Sequence, residues 1–91
     1  MTIDELSQII QDRKQTMPKN SYVASLLKKG KDRIVQKVGE EATEVIIAVK
    51  NRREKEIIEE VADLWFHLLV MLAALDIEPK EIYDEFERRK K

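Results

Sequence analysis

The stretch Leu64-Trp65-Phe66-His67-Leu68-Leu69-Val70-Met71-Leu72 is apolar on nearly every side of a helix. Such a helix has to be buried all round, because any face left in water exposes large aliphatic or aromatic groups. The nearly uncharged run extends from Leu64 to Leu75, and its twelve residues fall short of the roughly 20 needed to cross a bilayer. It therefore reads as a core helix of a soluble protein. A chain of only 91 residues buries a modest fraction of its surface, and three short neighbouring helices can hardly wrap this one. A second copy of the chain is the simplest cover, so a homodimer is expected.

The rest of the chain has the same helical character. It is 43% hydrophobic and 38% charged, with two glycines, two prolines and 5% aromatics, a mix that suits amphipathic helices and not strands. Ile3, Leu6, Ile9 and Ile10 share one face of a helix over 3–14. Pro18-Lys19-Asn20 breaks the pattern, and Ser21 caps a short helix, with Val23, Leu26 and Leu27 as its stripe, ending near Gly30. Asp32 caps the next helix, which runs to about Asn51 with Ile34, Val38, Ala42, Val45 (or Ile46) and Val49 in helical register. Gly39 interrupts it at about 1 kcal/mol relative to alanine, which suggests close packing or ligand approach there. A third long helix covers 55–75, and a last one starts at Pro79 and buries Ile82, Tyr83 and Phe86. No repeat or linker divides the chain, so 1–91 reads as a single all-α domain: a helical bundle around a central antiparallel hairpin.

Charge narrows the partners. Seventeen basic and 18 acidic residues give a net charge of −1, so no global basic field invites nucleic acid. The amino terminus carries Asp4 and Glu5 and lacks the basic and apolar regions of a signal peptide. No cysteine is present, which removes disulfides, thiolate zinc sites and thiol nucleophiles. A cytoplasmic protein without nucleic-acid or membrane partners is expected.

The chemistry sits in two acidic pairs, Glu41 with Glu44 and Glu60 with Asp63, each three residues apart on a helix. Positions 44 and 60 are symmetric about residue 52, as are 41 and 63, and residue 52 falls in the turn between the helices. Folding the hairpin brings Glu44 opposite Glu60, about 12 Å from the turn, and Glu41 opposite Asp63 about one turn further. Four clustered carboxylates repel one another unless protonated or bridged by a cation. A hard oxygen-seeking ion such as Mg²⁺ is the natural occupant, since no histidine pair or thiolate competes. Glu40, beside the first pair, is a candidate fifth ligand or the holder of a metal-bound water. Solvated acidic faces on two helices are the alternative.

The string Lys37-Val38-Gly39-Glu40-Glu41-Ala42-Thr43-Glu44-Val45, then Glu60-Val61-Ala62-Asp63-Leu64 and His67-Leu68-Leu69-Val70, resembles the phosphoribosyl-ATP pyrophosphatase family. The wider pattern of Glu-Glu-x-x-Glu followed by Glu-x-x-Asp is shared by the all-α nucleoside triphosphate pyrophosphatases. Ser21-Tyr22, Leu26-Leu27, Gly30, the Lys-Val-Gly lead-in and His67 resemble the histidine-pathway branch. The resemblance runs from Ser21 to Glu87. It implies Mg²⁺-dependent hydrolysis of 1-(5-phosphoribosyl)-ATP to 1-(5-phosphoribosyl)-AMP and pyrophosphate, the second step of histidine biosynthesis, by a homodimer of interlocked helices. The cyclohydrolase to which this domain is often fused would be a separate protein. A house-cleaning nucleoside triphosphate pyrophosphatase of the same superfamily and a non-catalytic helical dimerisation protein are the alternatives.

Glu41, Glu44, Glu60 and Asp63 are then the expected metal ligands, with Glu40, Glu41 and Lys37 as the catalytic group: Glu40 as general base, Lys37 facing a phosphate oxygen. Lys37 has a second reading as a simple ion pair with Glu41. His67, one turn after Asp63, either supports a ligand, contacts substrate or is a satisfied core residue. Ser21 and Tyr22 either cap and pack or touch the substrate. Lys28, Lys29 and Lys31 around Gly30 form either a phosphate-attracting patch or a solvated basic loop.

Overall fold

The computed structural model describes residues 1–90, which form five helices with no strand among them. They are α1 (Ile3–Thr16), α2 (Tyr22–Lys29), α3 (Lys31–Lys50), α4 (Glu54–Ala74) and α5 (Pro79–Arg89). The all-α expectation is correct. Local signals set most helix ends. The Thr2 hydroxyl accepts the Glu5 N–H at 3.1 Å while the Thr2 N–H donates to Glu5 Oε1 at 2.9 Å, a reciprocal cap at the head of α1. Ser21 Oγ accepts the Ala24 N–H at 3.1 Å and so starts α2 as expected.

Asp32 does not cap α3. Gly30 holds that place at φ 98°, ψ 173°, closing α2 and opening α3 at one residue, and Asp32 lies within the first turn. Side chains other than hydrogen are strained at that φ, so a glycine here allows the chain to turn without a linker. The other glycine is different. A Cβ at Gly39 would meet nothing within 4 Å, so no packing inside this chain requires it, contrary to the close-packing expectation.

Helices α3 and α4 form the central hairpin. Asn51 continues the last turn of α3, its N–H bonded to the Ile47 carbonyl, and Arg52 reverses the chain in the left-handed region at φ 56°. The side of α3 turned to the core and to α4 is marked by Ile34, Val38, Glu41, Val45 and Ala48, all buried or half-buried, at steps of four and three. Val49, expected in this stripe, is instead 50% exposed, because Ala48 takes the inward place. Helices α1 and α2 pack on the far half of α4, and Ile10, Val23, Leu26, Ile34, Leu69 and Val70 make the core. At the end of α4, the Lys14 ammonium donates to the Ala73 carbonyl at 2.8 Å and to Asp76 Oδ1 at 2.6 Å, tying the tail of α1 to that corner.

Apolar faces stay uncovered on α3, where Val35 and Ile46 are more than half exposed, and on α4 and α5. On α4, His67, Leu69 and Val70 are buried, but Ile58 is 63% and Trp65 53% exposed. Helix α5 does not bury its apolar face as expected: Ile82, Tyr83 and Phe86 are all exposed, Phe86 the most. Tyr83 reaches back to α1, where its hydroxyl donates to Asp4 Oδ1 at 2.9 Å. These faces leave the chain open. Its accessible surface of 6894 Å² exceeds the roughly 5500 Å² expected of a compact monomer of its mass. Its Cα radius of gyration, 14.2 Å, exceeds the ~12 Å of a compact chain of its length.

Candidate metal centre and active site

The hairpin brings three of the four expected carboxylates together. One oxygen each from Glu41, Glu60 and Asp63 lies within 4.8 Å of the others. Glu60 and Asp63 share a face of α4, one turn apart, and Glu41 comes across from α3. Glu44 stands outside this trio and is exposed. Azimuth on α3 explains the difference. Glu41 occupies a place in the seam between Val38 and Val45, whereas Glu44 precedes Val45 and falls at the rim. Glu44 still lies close enough for its charge to act on Glu60. The Glu60 carboxyl is raised above its ordinary pKa, first by loss of solvent and then by the charges of Asp63, Glu41, Glu44 and Glu59.

An all-oxygen, anionic donor set of this kind fits a hard divalent cation. Neither thiolate nor imidazole enters it, since the chain has no cysteine and its one histidine is engaged elsewhere. A cleft of about 660 Å³ lies between α1 and the start of α5, lined in part by Asp4, Gln8, Asp76 and Tyr83. It shares no residue with the trio, and its acids lack the convergence that concentrates charge at one point.

Beside the trio runs a strip of α3 with opposite charge. The Lys37 ammonium is 3.2 Å from Glu41 Oε1 and 3.4 Å from Glu40 Oε1. Lys37 and Glu41 are largely buried, with side chains 19% and 12% exposed, so the expected ion pair does form. The Glu41 hydrogen bond is the main reason the Lys37 pKa is raised. Burial opposes it, and the Tyr22 phenol and Glu40 reinforce it. Lys37 therefore remains a cation at neutral pH. Two of its three N–H groups face carboxylates, which leaves the third for another acceptor.

Glu40 stands outside the trio, and its carboxylate meets its own set of donors. Gln36 Nε2 donates at 2.9 Å, and Lys37 and Arg33 stand at 3.4 Å. Those contacts, Gln36 foremost, hold its pKa below the usual carboxylate range, so it is ionised at neutral pH. Arg33 and Gln36 were not singled out from the sequence. Their positions seven and four residues before Glu40, on one helix face, are the signal that could have found them.

His67 is buried, 5% exposed, and both ring nitrogens are satisfied. Nδ1 lies 2.7 Å from the Asp63 carbonyl oxygen, and Nε2 lies 2.9 Å from the Tyr22 hydroxyl. Tyr22 stacks on Phe66 at 6.0 Å, and the edge of His67 meets both rings. His67 is thus at once a satisfied core residue and the support of the α4 turn that carries Asp63. The contact with Tyr22 joins residues 45 apart in sequence, and no periodicity along one helix could have shown it. Ser21 is placed as the cap of α2, its oxygen occupied by the Ala24 N–H. Lys28 and Lys29 are exposed at the end of α2, and Lys31 is exposed at the start of α3.

Comparison with known proteins agrees with this geometry. Residues 3–90 match the family described as Phosphoribosyl-ATP pyrophosphohydrolase. A phosphoribosyl-ATP pyrophosphatase of Geobacter sulfurreducens is 55% identical over 82 residues, covering 90% of this chain and 76% of its own length. One from Methanocella arvoryzae is 52% identical over 91 residues, covering 98% and 96% of the two chains. One from Trichlorobacter lovleyi is 54% identical over 87 residues, covering 96% and 81%. With a match that spans all five helices and a carboxylate trio assembled across its central hairpin, the chain belongs to the phosphoribosyl-ATP pyrophosphohydrolase family.

Proposed function

We propose that the protein hydrolyses 1-(5-phosphoribosyl)-ATP to 1-(5-phosphoribosyl)-AMP and pyrophosphate, the second step of histidine biosynthesis, in the cytoplasm. The observation that carries this reading is the meeting of Glu41 with Glu60 and Asp63, in a chain whose family match covers residues 3–90. These three residues would hold Mg²⁺, with Glu44 at the rim completing the charge. The bound ion supplies positive charge against the phosphate oxygens and makes the attacking water more acidic.

The chain's own side chains do the rest. Lys37 keeps its proton and has an N–H to direct at a phosphate oxygen, so it offsets charge that builds as pyrophosphate departs. Glu41 fixes that ammonium at 3.2 Å, which couples the position of Lys37 to the trio. Glu40, ionised and oriented by Gln36, accepts the proton that the attacking water loses. The α–β anhydride bond breaks, the water oxygen stays on the product phosphate, and Glu40 returns its proton to solvent.

A homodimer belongs to the same reading. What supports it is the uncovered apolar surface on α3, α4 and α5, together with an accessible area about 1400 Å² above that of a compact monomer. That excess is enough for a stable interface, which takes about 800 Å² per partner.

Pyrophosphate release by the purified protein tests the activity, with phosphoribosyl-ATP compared against ATP and dUTP, in MgCl₂ and in EDTA. The expected result is Mg²⁺-dependent release from phosphoribosyl-ATP alone. Turnover of the ordinary triphosphates with none of phosphoribosyl-ATP would refute it.

A further inference from the structure

Helix α3 carries a stripe of charge whose sign changes once. Arg33, Lys37, Glu40, Glu41 and Glu44 recur at helical spacing, so all five lie along one side of the helix. The acidic end of the stripe meets Glu60 and Asp63 of α4 through Glu41. The cationic end begins one turn away, with the Lys37 ammonium 3.2 Å from Glu41 Oε1. Arg33 extends that end. Its Nη1 stands 3.4 Å from Glu40 Oε2 while Lys37 stands 3.4 Å from Glu40 Oε1, so the two cations flank a single carboxylate.

Arg33 is the loosely held member of this set. Its 3.4 Å contact is longer than the roughly 2.7–3.2 Å of a well-formed N–H···O bond. Gln36 already serves the same Glu40 oxygen at 2.9 Å. A guanidinium has five N–H donors, and among the described residues only Nη1 of Arg33 has a partner. With 38% of its side chain exposed, the group is free to turn from Glu40 to a ligand, and Gln36 keeps Glu40 bonded when it does.

An anion that reaches both the carboxylate trio and this pair of cations must carry its charges close together. Lys37 and Glu41 are four residues apart, about 6 Å along the helix axis. Adjoining phosphoryl groups meet that spacing. The 5-phosphate of the phosphoribosyl group does not, since the base and both sugars separate it from the triphosphate. When the α–β anhydride breaks, the water oxygen joins the α phosphorus. The bridging oxygen leaves on pyrophosphate with the bonding electron pair, so negative charge grows on the β and γ side.

We propose that Arg33 is a substrate-binding residue that, together with Lys37, holds the β and γ phosphates and stays hydrogen-bonded to the departing pyrophosphate. Its guanidinium is a permanent cation, and the planar fork suits two oxygens of one phosphate. The inference rests on the pyrophosphohydrolase reading given above.

Calorimetric titration of the protein in MgCl₂ with pyrophosphate and, separately, with phosphoribosyl-AMP tests it. Arg33→Gln should weaken pyrophosphate binding about tenfold, the loss of one charged hydrogen bond, and leave phosphoribosyl-AMP binding near wild type. Arg33→Lys keeps the charge without the fork and should fall between the two. For phosphoribosyl-ATP, kcat/KM should fall in the same order. Glutamine and lysine have nearly the helix propensity of arginine, so circular dichroism should match in all three proteins. Unchanged pyrophosphate binding in Arg33→Gln overturns the proposal even where turnover falls, because Arg33 would then act only by orienting Glu40. Phosphoribosyl-AMP binding weakened as much as pyrophosphate binding, or more, also overturns it. A wild-type protein with no turnover of phosphoribosyl-ATP overturns the parent reading and this one together, whereas failure of the Arg33 assignment alone leaves that turnover intact.

Discussion

Trp65 offers the sharpest test of how the chain completes its fold. It lies on α4 with 53% of its surface exposed, beside a shallow apolar groove lined by Met1, Ile3, Leu6 and Ala62. An aromatic side chain buries about 150–250 Å² when covered, so about 100 Å² of Trp65 awaits a partner. At ~25 cal/mol per Å² that is about 2.5 kcal/mol per protomer. A two-fold dimer buries two copies, so Trp65→Ala should cost about 5 kcal/mol of association and raise the dimer dissociation constant about 10³- to 10⁴-fold. Trp65 is outside the buried cluster of Ile10, Leu26, Ile34 and Val70, so the substitution should leave helix content near wild type. Sedimentation velocity over a dilution series, with circular dichroism on the same samples, measures both quantities. Thermal midpoints of the wild type should also rise with protein concentration. A wild-type protein that stays monomeric at every concentration, or a Trp65→Ala variant with the wild-type dissociation constant, refutes the reasoning.

Asp63→Asn should reduce turnover by orders of magnitude, and Glu44→Gln by less, because Glu44 stands outside the trio; kcat for both at saturating Mg²⁺ decides the order. In EDTA, stability should depend on pH through Glu60. Its carboxyl is raised in the fold, so the native state holds that proton more tightly than the unfolded chain. The resulting stabilisation is complete below the unfolded carboxylate range and is lost as pH rises through the folded value. Melts should therefore improve as pH falls from neutral toward the ordinary carboxylate range, and Glu60→Gln should flatten that slope. Added Mg²⁺ should stabilise the wild type by about 2.7 kcal/mol at a hundredfold excess over Kd, with a much smaller increment in Asp63→Asn at the same concentration. Thr2→Ala removes the cap of α1 and should cost about 1 kcal/mol in a urea titration.

Local order was well marked in the residues. Ser21 and Pro79 stand at helix starts as read, and the spacing of apolar residues located all five helices to within two residues at most ends. Asp32 was a poorer guide. An aspartate is a good cap in isolation, but Gly30 two residues earlier reaches a backbone conformation that no side chain shares, and the helix begins there. The convergence of Glu41 with Glu60 and Asp63 was legible for a similar reason: a short turn between two helices converts sequence symmetry into spatial opposition. Glu44 shows the limit of that arithmetic. Counting residues from the turn gives height along a helix. It does not give the side on which α4 lies, and that side admits Glu41 and leaves Glu44 at the rim.

The sequence by itself determined the helices, the hairpin and the acidic turns that face each other across it, because caps, periodicity and helical rise act over a few residues. It also required a cover for α4, since Leu64 to Leu72 is apolar around the whole helix. Only the tertiary structure decided how far one chain can supply that cover. Helices α1 and α2 reach Leu69 and Val70, whereas Trp65 and the apolar face of α5 stay open. Only the tertiary structure, too, joined Tyr22 to His67 and turned Glu40 toward Gln36, Lys37 and Arg33. Side-chain hydrogen bonds of this kind depend on azimuth and approach between packed helices. Those are set by the shape of the whole core, and no window of sequence shorter than the core contains them.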